Sequence, residues 1–414
     1  MSTSENTQFL WSRLLFLSAI AILAVYGLFF IYSTGYIGDD YPVRENWQKQ
    51  CIWLAVGVLC AWFAYRSTPD NYFWGQFVAW GYVGSLIALV LVLIFGKSIG
   101  GARRWLDFGG LLLQPAEFAK YFTLLLVAKV LSMDGNRWRT LAWTGFLAAL
   151  PLLLIVIEPS YGNALSLLPP VAMLVLVRYA PQRVFHWLLA VVTALVLLFT
   201  ATLTWLRSPH GRNLVEHYLQ NSTESSTFLR PYHVRRIRNY LDPRGDWNER
   251  QSVIAIASGG PSGKGYLQGN MKSLGFLPRT VAPTDFIFSV IAEEMGFLFG
   301  TLPILCLYGV LLLLALFWGS VAPTRMGELT CVGMATLLFT HVAVNIGMTV
   351  RLLPVIGLPL PLLSYGGSYT IMTLLALGTI LAIPAHADAP ADVRPSSTHV
   401  LNLGKLLRIQ IRNE

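Results

Sequence analysis

Charge is scarce in this sequence: 12% of its 414 residues are Asp, Glu, Lys or Arg, whereas 55% are hydrophobic. Soluble domains carry about 25% charged residues, so water is excluded as the main solvent of this chain and a bilayer must replace it. Cysteine is scarcer still. Cys51, Cys60, Cys306 and Cys331 all lie within or at the edge of apolar runs, which excludes a disulfide or zinc framework and makes them small hydrophobes.

Acidic residues are the smaller share of the charge, 21 against 30 basic ones. On a membrane protein that excess points to lipid headgroups or an anionic substrate, and no nucleic acid is expected. A nucleotide fingerprint is also missing. The stretch SGGPSGKG (258–265) has Ser258 where a phosphate loop needs its first Gly, and Gly265 follows Lys264 in place of Ser or Thr. Any group transfer must therefore draw on an activated substrate.

What the sequence has is apolar runs of spanning length, each about 20 residues as a roughly 30 Å hydrocarbon core requires. They fall near 12–32, 50–64 with its flanks, 75–96, 112–131, 141–157, 162–178, 184–206, 284–318, 328–350 and 363–384. The expected fold is an all-α integral membrane protein of about ten transmembrane helices. Residues 1–206 carry helices one to seven, 207–283 one long loop, 284–384 helices eight to ten, and 385–414 a polar tail.

The long loop holds 11 Lys and Arg against 5 Asp and Glu. Loops of that length are usually functional. Basic residues of the short loops lean towards a cytoplasmic N-terminus, which puts the long loop outside.

Five ionisable residues sit within or at the ends of spans: Glu117, Lys120, Asp285, Glu293 and Glu294. Each costs at least ~2.5 kcal/mol near a bilayer centre unless paired or hydrated. Glu117 and Lys120 are spaced to pair along one helix. Glu293 and Glu294 read as buried packing or supporting groups. Asp285 opens a span just after the basic loop, where it either caps the helix or offers a carboxylate to a lipid headgroup.

The strings GARRWLDFGGLLLQPAEFAK (101–120), EPSYGNAL (158–165), LDPRGDWNERQSVIAIASGGPSGKG (241–265), PTDFIFSVIAEEMGF (283–297) and NIGMTVRLLPVIGLPLPLLSYGGS (345–368) resemble the shape, elongation, division and sporulation family, the RodA and FtsW group. The resemblance implies ten helices with both termini cytoplasmic, in the cytoplasmic (inner) membrane of a bacterium. It implies a peptidoglycan polymerase that transfers the growing glycan from undecaprenyl diphosphate to the 4-hydroxyl of lipid II on the outer face. The rival from another class is a lipid II flippase.

By the same resemblance, Asp285 of the TDF string is the catalytic residue. Glu117 and Lys120 shape the site. Arg103, Arg104, Lys264 and Arg279 are candidates for countering the diphosphate charge, and Ser364 lies in a Pro/Gly-rich stretch expected to line the substrate groove. A divalent cation, Mg²⁺ or Mn²⁺, is the one cofactor this chemistry invites, with ligands unknown. A class B penicillin-binding protein is the implied partner, and a RodA-like elongation role is slightly preferred to a division role. One departure is Ser160, where many relatives carry an Asp, so no role of that carboxylate transfers here.

Overall fold

The computed structural model describes residues 3–36, 45–67, 72–99, 102–109, 111–180, 247–278 and 280–385, with isolated positions at 205, 208 and 213. The expected span at 184–206, most of the long loop, and the tail from 386 lie outside the described residues.

Helices α1 (Thr3–Gly35), α2 (Asn46–Arg66), α3 (Tyr72–Phe95), α4 (Pro115–Ser132), α5 (Arg137–Ile157) and α6 (Tyr161–Tyr179) form the first part of the bundle. After them come α7 (Trp247–Gly259), the single turn α8 (Asn270–Ser273), α9 (Ile287–Gly296), α10 (Leu302–Ser320), α11 (Arg325–Thr349) and α12 (Gly367–Ala385). Seven segments among the described residues are long and apolar enough to cross a membrane. Helices α2 and α4 have spanning length too. Helix α4 owes its lower hydropathy to Glu117, Lys120 and Lys129. The chain is a mostly helical, multi-pass membrane protein, as its composition requires.

Two features depart from the all-α expectation of simple spans. Three short strands, β1 (Lys97–Ile99), β2 (Ala102–Phe108) and β3 (Leu111–Leu113), pair into a small antiparallel sheet, with Ser98 facing Arg103 and Asp107 facing Leu112. The run expected as one span at 284–318 is broken. Helix α9 ends at Gly296, a π turn occupies Phe297–Thr301, and α10 continues.

The course of α9 follows from its contacts. Helices α1 and α10 run antiparallel, Phe16 stacking near Trp318 and the Tyr26 hydroxyl donating to Phe299 O. The short turn after α10 then makes α11 parallel to α1, so Ser33 and Thr349 lie at the same end of the bundle. Ser289 of α9 meets Ser252, whose hydroxyl also reaches Thr349 O, and Glu294 meets Ser33. Helix α9, about 15 Å long at 1.5 Å per residue, thus lies across that end of the bundle while α10 crosses.

Helices α2 and α12 pack closely. A β-carbon at Gly378 would stand 2.4 Å from Ala61 O, so only glycine allows this crossing, the usual device where lipid gives helices no hydrophobic drive to associate. Gln50 fastens the pair by donating to Thr370 Oγ1 at 2.8 Å and accepting from Gly366 N at 3.2 Å.

Candidate active site

Three irregular segments meet at the end of the bundle crossed by α9: the turn before α9 (281–286), the loop between α11 and α12 (350–366), and the α5–α6 turn (158–160). Asp285 is half-buried in the first. It does not cap α9: the N-cap position is Phe286, which makes no side-chain capping bond. Asp285 N donates to Val281 O at 3.0 Å, so the acid sits in a tight turn ahead of the helix.

The loop clasps that turn through its backbone. Asn345 Nδ2 donates both to Asp285 O at 3.1 Å and to Leu358 O at 2.8 Å. Tyr365 N donates to Pro283 O at 2.8 Å. Ser364 Oγ donates to Thr284 O at 2.5 Å and accepts from Leu360 N at 2.8 Å. Ser364 is fully buried and its hydroxyl is committed to the backbone. Ser364, expected to bind substrate, here clamps the loop to the turn.

Two non-glycine residues of the loop, Arg351 and Leu362, have φ near 63°. Each costs about 1–3 kcal/mol, so this conformation persists only because the clasp over-determines it. At Gly357, φ is 78° and a β-carbon would stand 3.6 Å from Asp285 Oδ2. Glycine there places backbone without a side chain beside the carboxylate. On the other side of the same strip, Gly162 lies so close to Ile356 that a β-carbon would be 2.8 Å from Ile356 O, which brings the start of α6 against the loop.

The β2 strand covers the α5–α6 turn. Arg103 is exposed, whereas Arg104 is half-buried and its guanidinium donates to Pro159 O. Beneath it Glu158 is 1% exposed, and neither carboxylate oxygen has a hydrogen-bond partner. Burial pushes its carboxyl up to about 8, against the opposing pull of Arg104. Glu158 falls between two apolar runs of the sequence, and only the fold brings the Arg104 strand over it.

Glu117 and Lys120 do pair, at 3.0 Å, both buried. The Lys120 ammonium also reaches Asn163 Oδ1 at 2.9 Å, Ser166 Oγ at 3.3 Å and His341 Nε2 at 3.1 Å. Asn163 in turn donates to Ser160 Oγ at 3.1 Å. That these residues of α6 and α11 converge on Lys120 was not legible, because they lie far from it in sequence.

Glu293 and Glu294 sit at the other end of α9, both fully buried. Glu293 accepts from Lys264 Nζ at 2.6 Å and from Asn270 N at 2.8 Å. Glu294 accepts from Ser33 Oγ at 2.8 Å and from Leu267 N at 3.1 Å, and it pairs with buried Lys272. Burial drives the Lys272 amine down, and Glu294 pulls it back up. Lys264, expected to contact diphosphate, is instead ion-paired with Glu293 and three-quarters buried. Arg279 lies outside the described residues.

The glycine-rich stretch is a backbone brace. Lys264 N and Gly265 N donate to Glu293 O and Glu294 O at 3.1 and 2.8 Å, while Phe297 N and Leu298 N donate to Gly260 O and Pro261 O, both at 2.9 Å. These four bonds satisfy the groups that the break between α9 and α10 leaves open. Gly263 and Gly296, with φ of 79° and 71°, pack back to back.

The model of the FtsW, RodA and SpoVE cell cycle protein family matches residues 13–389 of this sequence. The chain belongs to that family. Among its relatives, the peptidoglycan glycosyltransferase MrdB of Escherichia coli strain K12 is 32% identical, with 93% of this chain and 98% of that protein covered. The peptidoglycan glycosyltransferase RodA of Treponema pallidum is 29% identical, covering 90% and 97%. A solved structure described as the structural coordination of polymerization and crosslinking by a peptidoglycan synthase complex is 29% identical, with TM-score 0.68 over 91% of this chain and 98% of that one. The crystal structure of RodA of Thermus thermophilus is 28% identical, with TM-score 0.60 over 91% and 97%.

Proposed function

We propose that the chain is a peptidoglycan glycosyltransferase that extends a glycan held on undecaprenyl diphosphate by transfer to the 4-hydroxyl of lipid II, with Asp285 as general base. The observation that carries the reading is the Asp285 turn: a half-buried carboxylate, fixed through its backbone by Asn345, next to the side-chain-free backbone of Gly357. A sugar hydroxyl is a poor nucleophile at neutral pH, and a positioned carboxylate that takes its proton in the transition state contributes about 10²–10⁴-fold. Diphosphate leaves readily once its charge is countered.

Arg103 and Arg104 are the residues we assign to that counter-charge, since Lys264 is held by Glu293. Among the described residues no group of three or more His, Cys, Asp or Glu could hold a metal ion. Were a divalent cation to act here, Asp285 would be the residue of the described site to hold it, and it would help to counter the charge of the leaving diphosphate.

On this reading the site faces outward from the bacterial cytoplasmic membrane, and a class B penicillin-binding protein cross-links the product in elongation. The resemblance to a structure of a peptidoglycan synthase complex supports such a partner. The test is polymerisation of labelled lipid II by the purified chain with its cognate partner, with and without divalent metal. Wild type makes glycan and Asp285→Asn makes none at an unchanged melting temperature. An active Asp285→Asn protein overturns the role of Asp285, and lipid translocation with no glycan formed by wild type selects the flippase.

A further inference from the structure

The Glu117–Lys120 pair and the Asp285 turn belong to different helices, and His341 of α11 stands between them. Its Nε2 lies 3.1 Å from the Lys120 ammonium. An ammonium only donates hydrogen bonds, so Nε2 accepts and the ring is neutral with its proton on Nδ1. Nδ1 faces Pro359 O of the 350–366 loop, at a long 3.4 Å. The ring is buried and stacked on Tyr369 of α12, centroids 4.9 Å apart at 27°, which fixes the plane in which both nitrogens point.

Pro359 is the residue between the two clasps already described. Leu358 O is joined to Asp285 O through Asn345, and Leu360 N is joined to Thr284 O through Ser364. Proline has no N–H of its own to hold it, so its carbonyl is the group at this position that another element can grip. Lys120 fixes the acceptor side of the imidazole, and the tautomer thereby fixes a donor aimed at that carbonyl.

We propose that His341 is a positioning residue: it reads the orientation of the buried Glu117–Lys120 pair and, through Pro359, holds the loop that sets Asp285. The inference rests on the reading of Asp285 as the reacting carboxylate. It assigns the pair a route to the site, through one ring, without contact between the pair and substrate.

The test compares three proteins in complex with the cognate partner. His341→Phe keeps the ring and its stack on Tyr369 but removes both nitrogens. His341→Gln keeps one acceptor and one donor, and His341→Leu repeats the deletion so that the result does not hang on one variant folding. Two quantities are read: kcat and KM for lipid II polymerisation, and amide hydrogen exchange in residues 357–366.

Loss of the grip is expected to lower kcat on the order of 10–100-fold with KM nearly unchanged, the scale of a slightly misplaced reacting group. Exchange in the loop speeds up as local opening becomes easier, and His341→Gln restores both readouts. Unchanged kcat in the Phe and Leu variants overturns the proposal. So does a Gln variant as slow as Phe, which would show that one donor and one acceptor at this position do not supply the grip, and so does unchanged exchange with reduced kcat. Failure of the underlying reading shows separately, as glycan made by Asp285→Asn.

Discussion

The two ends of α9 handle charge in opposite ways. At its C-terminal end Glu293 and Glu294 are fully buried, and backbone N–H groups, Ser33, Lys264 and Lys272 surround them with donors. At its N-terminal end Asp285 is half-buried beside Gly357, and the nearby α5–α6 turn buries Glu158 with no hydrogen bond to its carboxylate. An ionisable residue in a membrane protein is a functional hypothesis by default. The contrast shows what refines that default: fully buried carboxylates surrounded by donors hold shape, and chemistry is sought where a carboxylate is only partly buried.

The largest break in this comparison is expected from Asp285→Asn, which should lower polymerisation by about 10²–10⁴-fold, as loss of a general base does, without moving the unfolding midpoint. The saturated end should respond in the other currency. Lys272→Met strands Glu294 and is expected to destabilise by about 3–5 kcal/mol in detergent unfolding, and adding Glu294→Leu should recover much of that, because a buried pair replaced whole costs little. Gly263→Ala is the next smaller change. A left-handed backbone at φ 79°, with the new carbon 2.2 Å from Glu294 O, should cost at least about 1–2 kcal/mol and loosen the brace.

Glu158 sharpens the contrast through pH. Its folded value of about 8 lies above its ordinary 4.5, so between these values the folded state keeps a proton that the unfolded chain has released. Its contribution is thus fully present below pH 4.5 and declines as pH rises to about 8. Glu158→Gln should flatten that slope in melting temperature against pH. The smallest effect is expected at the exposed Lys97–Asp107 pair, where Lys97→Ala should change stability by about 0–1 kcal/mol.

Legibility in the sequence followed the length of the signal. Runs of about 20 apolar residues announce spans whatever their neighbours do. The break at 297–301 was hidden because Phe-Leu-Phe-Gly-Thr continues the apolar run, and the bonds that permit it come from a loop some 35 residues earlier. The small sheet had a signal that went unused: Gly100–Gly101 and Gly109–Gly110 flank the seven-residue strand, the usual marks of two tight turns. At the site, Asp285 was legible from its motif, and the Glu117–Lys120 pair from its spacing. His341, Asn345 and Lys272 were not, since single polar residues gain meaning only from partners distant in sequence.

The brace and the clasp also differ in when the chain can build them. Lys264 and Leu267 precede their Glu293 and Glu294 acceptors by 29 and 27 residues, and Ser33 has long been made, so this end is complete as soon as α9 leaves the ribosome. Asn345 and Ser364 lie 60 and 80 residues downstream of the backbone they hold at Asp285 and Thr284. Synthesis therefore finishes the scaffold first and the reactive corner last, and a nascent chain that has not yet reached α11 carries its acid in an unfastened turn.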